Sequence, residues 1–90
     1  MKVVWSPEKA DSNREKHGVR FSDAEPVLFD PQAITVEDLT AEREQRWVSL
    51  GMDALGRILV VVYTYRGRHV RLISVRRATR RERRQYEEGV

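Results

Sequence analysis

Apolar residues recur along this chain in changing rhythms, and each rhythm predicts an element. Val3-Val4-Trp5 reads as a short strand, and Ser6-Pro7-Glu8 then opens a helix with a capping hydroxyl, a proline where its missing N–H costs nothing, and an acid in the first turn. Gly18 ends that helix. Between these limits only Ala10 is apolar, while Lys9, Asn13, Lys16 and His17 fall on one face at steps of three or four. Ser22 and Glu25 have the spacing of a capping box that opens a second helix, which Asp30-Pro31 ends. Pro26 inside it removes an early hydrogen bond and restrains Glu25, so this element should be short or partly 3₁₀.

From residue 32 the rhythm changes to two. Gln32 to Glu37 predicts an edge strand, and Asp38 to Glu42 an acidic loop. Glu44 to Met52 then alternates, with Arg46, Val48, Leu50 and Met52 on one side and Gln45, Trp47, Ser49 and Gly51 on the other. Asp53 to Gly56 turns the chain. Ile58 to Val62 is apolar on both faces, the mark of a central strand, and Arg66-Gly67 turns it into His69 to Val75. These four strands predict an antiparallel meander. Thr79 and Glu82 form a second capping box, and Arg83 with Glu87 and Arg84 with Glu88 keep helical spacing. The fold class is therefore α+β in a single small domain over residues 1–90: a short strand, two helices, the meander and a last helix. Trp5, Trp47 and the strand aliphatics are assigned to its core.

Charge alters the picture because it is placed rather than spread. From Arg57 to Val90 there are ten arginines against three acids, whereas residues 1–56 carry seven basic and eleven acidic side chains. A sheet and helix whose only strong cation is arginine suit phosphate, since guanidinium is always charged and donates in a planar fork. With no cysteine, disulfides and thiolate metal sites are excluded, and two separated histidines argue against zinc, so no metal or cofactor is expected. No stretch approaches the ~20 apolar residues of a membrane span, and the first residues break before a signal-peptide core can form, so the expectation is a soluble cytoplasmic protein.

Five motifs then fall in order: W-S-P-x-K from Trp5, N-x-x-K-H-G-V-x-F from Asn13, R-W-V-x-L-G from Arg46, G-R-x-L-V-V-V-Y-T-Y-R-G from Gly56, and R-x-I-S-x-R-x-A-T-x-x-E-x-x-x-Y from Arg71 to Tyr86. In order and spacing the chain resembles the BrnT family of toxins over nearly its whole length, with Pro26 as a departure in the second helix. The resemblance implies a bacterial type II toxin with a fold akin to the RelE ribonucleases, cleaving RNA without a metal. It also implies neutralisation by a BrnA-type ribbon-helix-helix antitoxin, through which alone the toxin meets DNA.

Cleavage without a metal needs a base for the 2′-hydroxyl proton, an acid for the 5′-oxygen, and cations where charge builds on phosphorus. Arginine supplies the last and cannot supply the first. Arg76, beside the N-terminus of the last helix, ranks above Arg71 for the cationic role. The two stand on opposite faces of a regular strand and share one only if the strand twists or bulges before Arg76. The base is left open among His17, Lys16, Glu44, Glu82 and His69, and Tyr86 is a candidate acid or phosphate-orienting group. Each has a competing structural job: Glu82 in the capping box, His17 at a helix end, Asn13 on backbone, Tyr86 in packing. The catalytic set is therefore Arg76, Arg71, Glu82, His17 and Tyr86, with Lys16, Arg46, Arg66, Arg77 and Arg80 holding RNA. The competing readings are a non-catalytic nucleic-acid-binding module, in which the arginines only track a backbone, and a co-repressor that docks on a DNA-binding antitoxin.

Overall fold

The computed structural model describes residues 1–89, so Val90, the end of the single domain expected over 1–90, lies outside the described residues. The elements are β1 (Lys2–Val4), α1 (Pro7–His17), a 3₁₀ turn (Phe21–Asp23), α2 (Glu25–Leu28), β2 (Ile34–Asp38), β3 (Arg46–Met52), β4 (Ile58–Arg66), β5 (His69–Arg77) and α3 (Arg80–Glu88). The strands form one sheet in the order β1-β5-β4-β3-β2. β2 to β5 make the expected antiparallel meander, and β1 joins its outer edge parallel to β5, pairing Lys2 with His69 and Val4 with Arg71. The sheet is thus mixed and five-stranded, in an α+β domain.

Each face of the sheet buries a different helix set, which explains why β4 is apolar on both sides. On one face, Leu59, Val61, Tyr63, Val70, Leu72 and Val75 pack against Val19, Phe21, Ala24 and Val27 from the 3₁₀ turn, α2 and the connection before them. The other face carries a smaller cluster, Leu50, Ile58, Val60 and Tyr86, and Tyr86 is how α3 docks. The smaller cluster leaves the rest of that second face uncovered by helix.

Three local expectations change. The Ser22–Glu25 capping box does not form: Ser22 lies inside the 3₁₀ turn, and α2 starts at Glu25 behind Ala24, whose methyl side chain has no acceptor to cap it. Pro26 is the cause, because a helix capped at Ser22 would make its first bond from the residue 26 N–H to Ser22 O and proline has no N–H to give, and α2 is accordingly a four-residue piece. Trp5 is exposed, edge-on to Phe21, because β1 ends at Val4 and releases it from the sheet. Trp47, by contrast, packs partly buried against the larger core. Gly51 lets α2 lie on the sheet: a Cβ there would stand 3.0 Å from the Val27 side chain and 3.2 Å from its carbonyl oxygen.

Two buried polar groups fix the geometry around the sheet. Asn13 of α1 donates from Nδ2 to Val75 O and Val19 O and accepts Val75 N–H at Oδ1, so its amide acts as a one-residue strand partner on the edge of β5 beyond the end of β1. Asp53 accepts from the backbone of Leu55 and Arg57 and from Arg57 Nε, closing the β3–β4 turn.

Candidate active site on the basic sheet face

The decisive local feature is a bulge in β5. Tyr63 pairs with Leu72 and Val62 with Ser74, so Ile73 is an extra residue with no partner on β4. Arg71, Ser74 and Arg76 consequently pair with Thr64, Val62 and Val60, alternate residues of β4, and all three share the face that carries α3. The condition that separated the two arginines in a regular strand is met by this one inserted residue.

Arg76 sits where β5 gives way to α3. Its Nη1 and Nη2 donate to Glu82 Oε1 and Oε2 at 2.8 and 2.9 Å, and Nη1 also donates to Arg77 O. Glu82 simultaneously completes the α3 capping box, accepting Thr79 N–H at 2.8 Å while Thr79 Oγ1 accepts Glu82 N–H. The Arg76 hydrogen bonds hold the Glu82 carboxyl down at about 2, and Glu82 raises Arg76 in turn. A carboxylate held that low is a weak proton acceptor near neutrality. A guanidinium has five N–H donors, and this end-on pairing leaves Nε–H and the neighbouring Nη2–H, a side-on fork matched to two phosphate oxygens.

Lys16 and His17, in the last turn of α1, reach the same region from the edge of the sheet. Together with Lys9, Ser12 and Asn13 they line a cleft closed on the other side by Ile73 and Ser74. Asn13 holds α1 there, since its bonds to Val75 lie next to Ser74 and Arg76. A basic and titratable cleft therefore adjoins Ser74, the residue between the two arginines.

The remaining residues singled out from sequence fall into three places. Arg46, Arg66 and Arg71 gather at the opposite end of the face around Glu44. Arg77 pairs with Leu59 and therefore belongs to the opposite face from Arg76, and Arg80 opens α3, exposed. Tyr86 is buried, and its hydroxyl donates to Asp30 Oδ2 at 2.5 Å, which pushes the phenol up to about 12. Asp30 also accepts the backbone N–H of Met52 and Gln32, so the pair ties α3 to the turn before β2 and the end of β3. The hub role of Glu44 was invisible in sequence, where no local spacing joins residue 44 to residues 66 and 71.

A mixed sheet with Arg46, Arg66, Arg71 and Arg76 on the face where α3 docks, and a titratable cleft at its edge, defines a small α+β domain suited to phosphodiesters. Residues 5–82 match the family described as the ribonuclease toxin BrnT of a type II toxin-antitoxin system. The chain belongs to the BrnT family. Its fold is similar to the crystal structure of the Brucella abortus ribonuclease toxin BrnT, with a TM-score of 0.72 and 26% identity over 89% of this chain and 99% of that one. No curated protein sequence matches the chain. Among the described residues no group of histidine, cysteine and acidic side chains is arranged to hold a metal ion, and no helix is long and apolar enough to cross a membrane.

Proposed function

We propose that this BrnT toxin is a metal-independent endoribonuclease whose scissile phosphate lies over Ser74, between Arg76 and the Lys16–His17 cleft. The observation that carries this reading is the Ile73 bulge, which aligns Arg71, Ser74 and Arg76 on one face beside that cleft. Arg76 receives the developing charge through its free Nε–Nη2 edge, while Glu82 is a positioning residue that fixes the guanidinium plane. His17 takes the 2′-hydroxyl proton as the 2′-oxygen bonds to phosphorus and the bond from phosphorus to the 5′-oxygen breaks, and the Lys16 ammonium in the same cleft gives the departing 5′-oxygen its proton. Tyr86 acts through α3, holding Glu82 in place, because its own hydroxyl is committed to Asp30. Arg71, Arg66 and Arg46 hold the RNA further along the face, and Arg80 extends the positive surface onto α3.

The membership of a type II toxin-antitoxin family brings an antitoxin and an RNA target with it. We assign the antitoxin to the BrnA ribbon-helix-helix type, acting in the cytoplasm: an acidic segment that folds over the Arg66–Arg84 surface occludes the site and leaves the DNA-binding half free.

The test is incubation with purified RNA in excess EDTA. Cleavage should persist, with products ending in a 2′,3′-cyclic phosphate or the 3′-phosphate derived from it. RNA carrying a single 2′-deoxy residue at the cut site should survive. Cleavage that returns only on adding a divalent ion contradicts the mechanism.

A further inference from the structure

Glu44 lies in the segment 39–45, which carries no helix or strand, yet its carboxylate is the centre of a cluster drawn from three strands. Oε1 accepts from Arg71 Nη2 at 3.0 Å and Oε2 from Arg66 Nη2 at 3.2 Å, and Arg46 Nε lies 3.8 Å from Oε1. One carboxylate thus faces three guanidinium ions. Arg71 Nε, buried, has no hydrogen-bond acceptor, so the cluster holds more donor capacity than Glu44 can satisfy. A phosphodiester presents the same features as this carboxylate, two oxygens sharing one negative charge. It also carries further ester oxygens that a carboxylate lacks.

We propose that Arg46, Arg66 and Arg71 form a phosphodiester subsite, and that Glu44 occupies it as an internal stand-in which an RNA phosphate displaces. The proposal rests on the ribonuclease reading and adds a binding position to it. Arg71 and Arg76 pair with Thr64 and Val60, four residues apart on β4, which puts the two sites about 13 Å apart at the usual strand rise. That span corresponds to about four nucleotides of stacked strand, and fewer where bases are splayed. Short substrates therefore reach Arg76 alone, whereas longer ones reach the subsite and must displace Glu44. Being a single competing charge on a loop, Glu44 lowers the affinity of every strand that enters the subsite and leaves ligands confined to Arg76 unaffected.

The experiment compares wild type and Glu44→Gln for binding to two uncleavable 2′-deoxy probes, a hexanucleotide and a dinucleotide, at fixed salt. Glu44→Gln should tighten the hexanucleotide by about fivefold to tenfold, the range set by displacing partly exposed ion pairs. It should change the dinucleotide less than twofold. The hexanucleotide, and not the dinucleotide, should shift the Arg71 Nε–H resonance in nitrogen-15 spectra of the wild-type protein. Because three arginines left without their carboxylate can destabilise the fold, the double variant Glu44→Gln/Arg66→Ala is measured alongside, and the gain in affinity should fall back in it. Unchanged or weaker hexanucleotide binding by a folded Glu44→Gln overturns the proposal, as does loss of cleavage at unchanged affinity, which would make Glu44 a reacting group. If wild type does not cleave a cleavable RNA in a single turnover, or cleaves it no faster than Arg76→Ala does, the ribonuclease reading fails and the subsite with it. Cleavage that depends on Arg76, with hexanucleotide binding that does not respond to Glu44→Gln, overturns the subsite proposal and leaves the ribonuclease reading standing.

Discussion

Arg57 and Arg76 are both held by carboxylates, but at different edges of the guanidinium, and that difference separates a structural arginine from one available to a ligand. At the β3–β4 turn, Arg57 Nε donates to Asp53 and Nη2 lies 2.7 Å from Asp53 and 2.8 Å from Asp23, so the side-on fork is consumed. The hydrogen bond that Arg57 donates to Asp53 is the main reason Arg57 is raised, and the Asp53 side chain is only 1% exposed. At the end of β5, Arg76 gives its far end to Glu82 and keeps the side-on fork, with 39% of its side chain exposed. Counting arginines places both in one basic segment. Only the geometry of the fork shows that one stabilises a turn and the other faces outward.

The comparison breaks most visibly at its structural end. Asp53→Ala should cost about 3 kcal/mol of stability, because it leaves the Arg57 Nε–H and two backbone N–H groups without their acceptor beside a buried site, with Asp23 alone still holding the guanidinium. Urea unfolding measures this, and cleavage per folded molecule should change little. Glu82→Gln sharpens the other end. Glutamine can keep the capping box, so the fold should hold while the Arg76 plane loosens, and cleavage should fall by roughly tenfold to a hundredfold.

The same substitution has a pH signature. The Arg76 hydrogen bonds hold Glu82 at about 2 in the folded protein, below its ordinary carboxylate range. The stability this contributes is therefore complete above the unfolded value near 4.5 and is lost as pH falls through that window towards 2. Acid titration of stability should be steeper for wild type than for Glu82→Gln between these limits, and coincident curves would show that the pair is not made in solution. Tyr86→Phe is the smallest effect. It removes the bond to Asp30 and should cost about 1 kcal/mol, leaving cleavage largely intact; abolition of cleavage with the fold preserved would make Tyr86 a reacting group.

Much of this architecture could be read before any coordinates, for identifiable reasons. The meander follows from alternation at residues 46–52 and from apolar residues on both faces of β4, and α3 from a complete capping box. Pro26 announced that α2 would be short, although Ser22 misled by offering a box that the 3₁₀ turn does not use. The bulge at Ile73 left no mark, because an inserted residue in an apolar run looks like any other strand residue. The partners of Asn13 and Glu44 were equally hidden: Val75 is 62 positions from Asn13, and Arg66 and Arg71 lie 22 and 27 from Glu44. Local patterns fix elements, whereas the site is assembled by contacts between them.

The central claim is that the free edge of Arg76 acts on the transition state and does not merely attract RNA. Single-turnover cleavage and RNA affinity, measured together for Arg76→Ala and for Arg84→Ala on α3, test it directly. A group that stabilises developing phosphoryl charge is worth roughly 10²–10³ in rate, so Arg76→Ala should lose that much in the single-turnover rate at nearly unchanged affinity, and Arg84→Ala should lose a little affinity and almost no rate. Equal weakening of binding by both substitutions, with the rate untouched in each, would contradict the account and leave a protein that only tracks the RNA backbone.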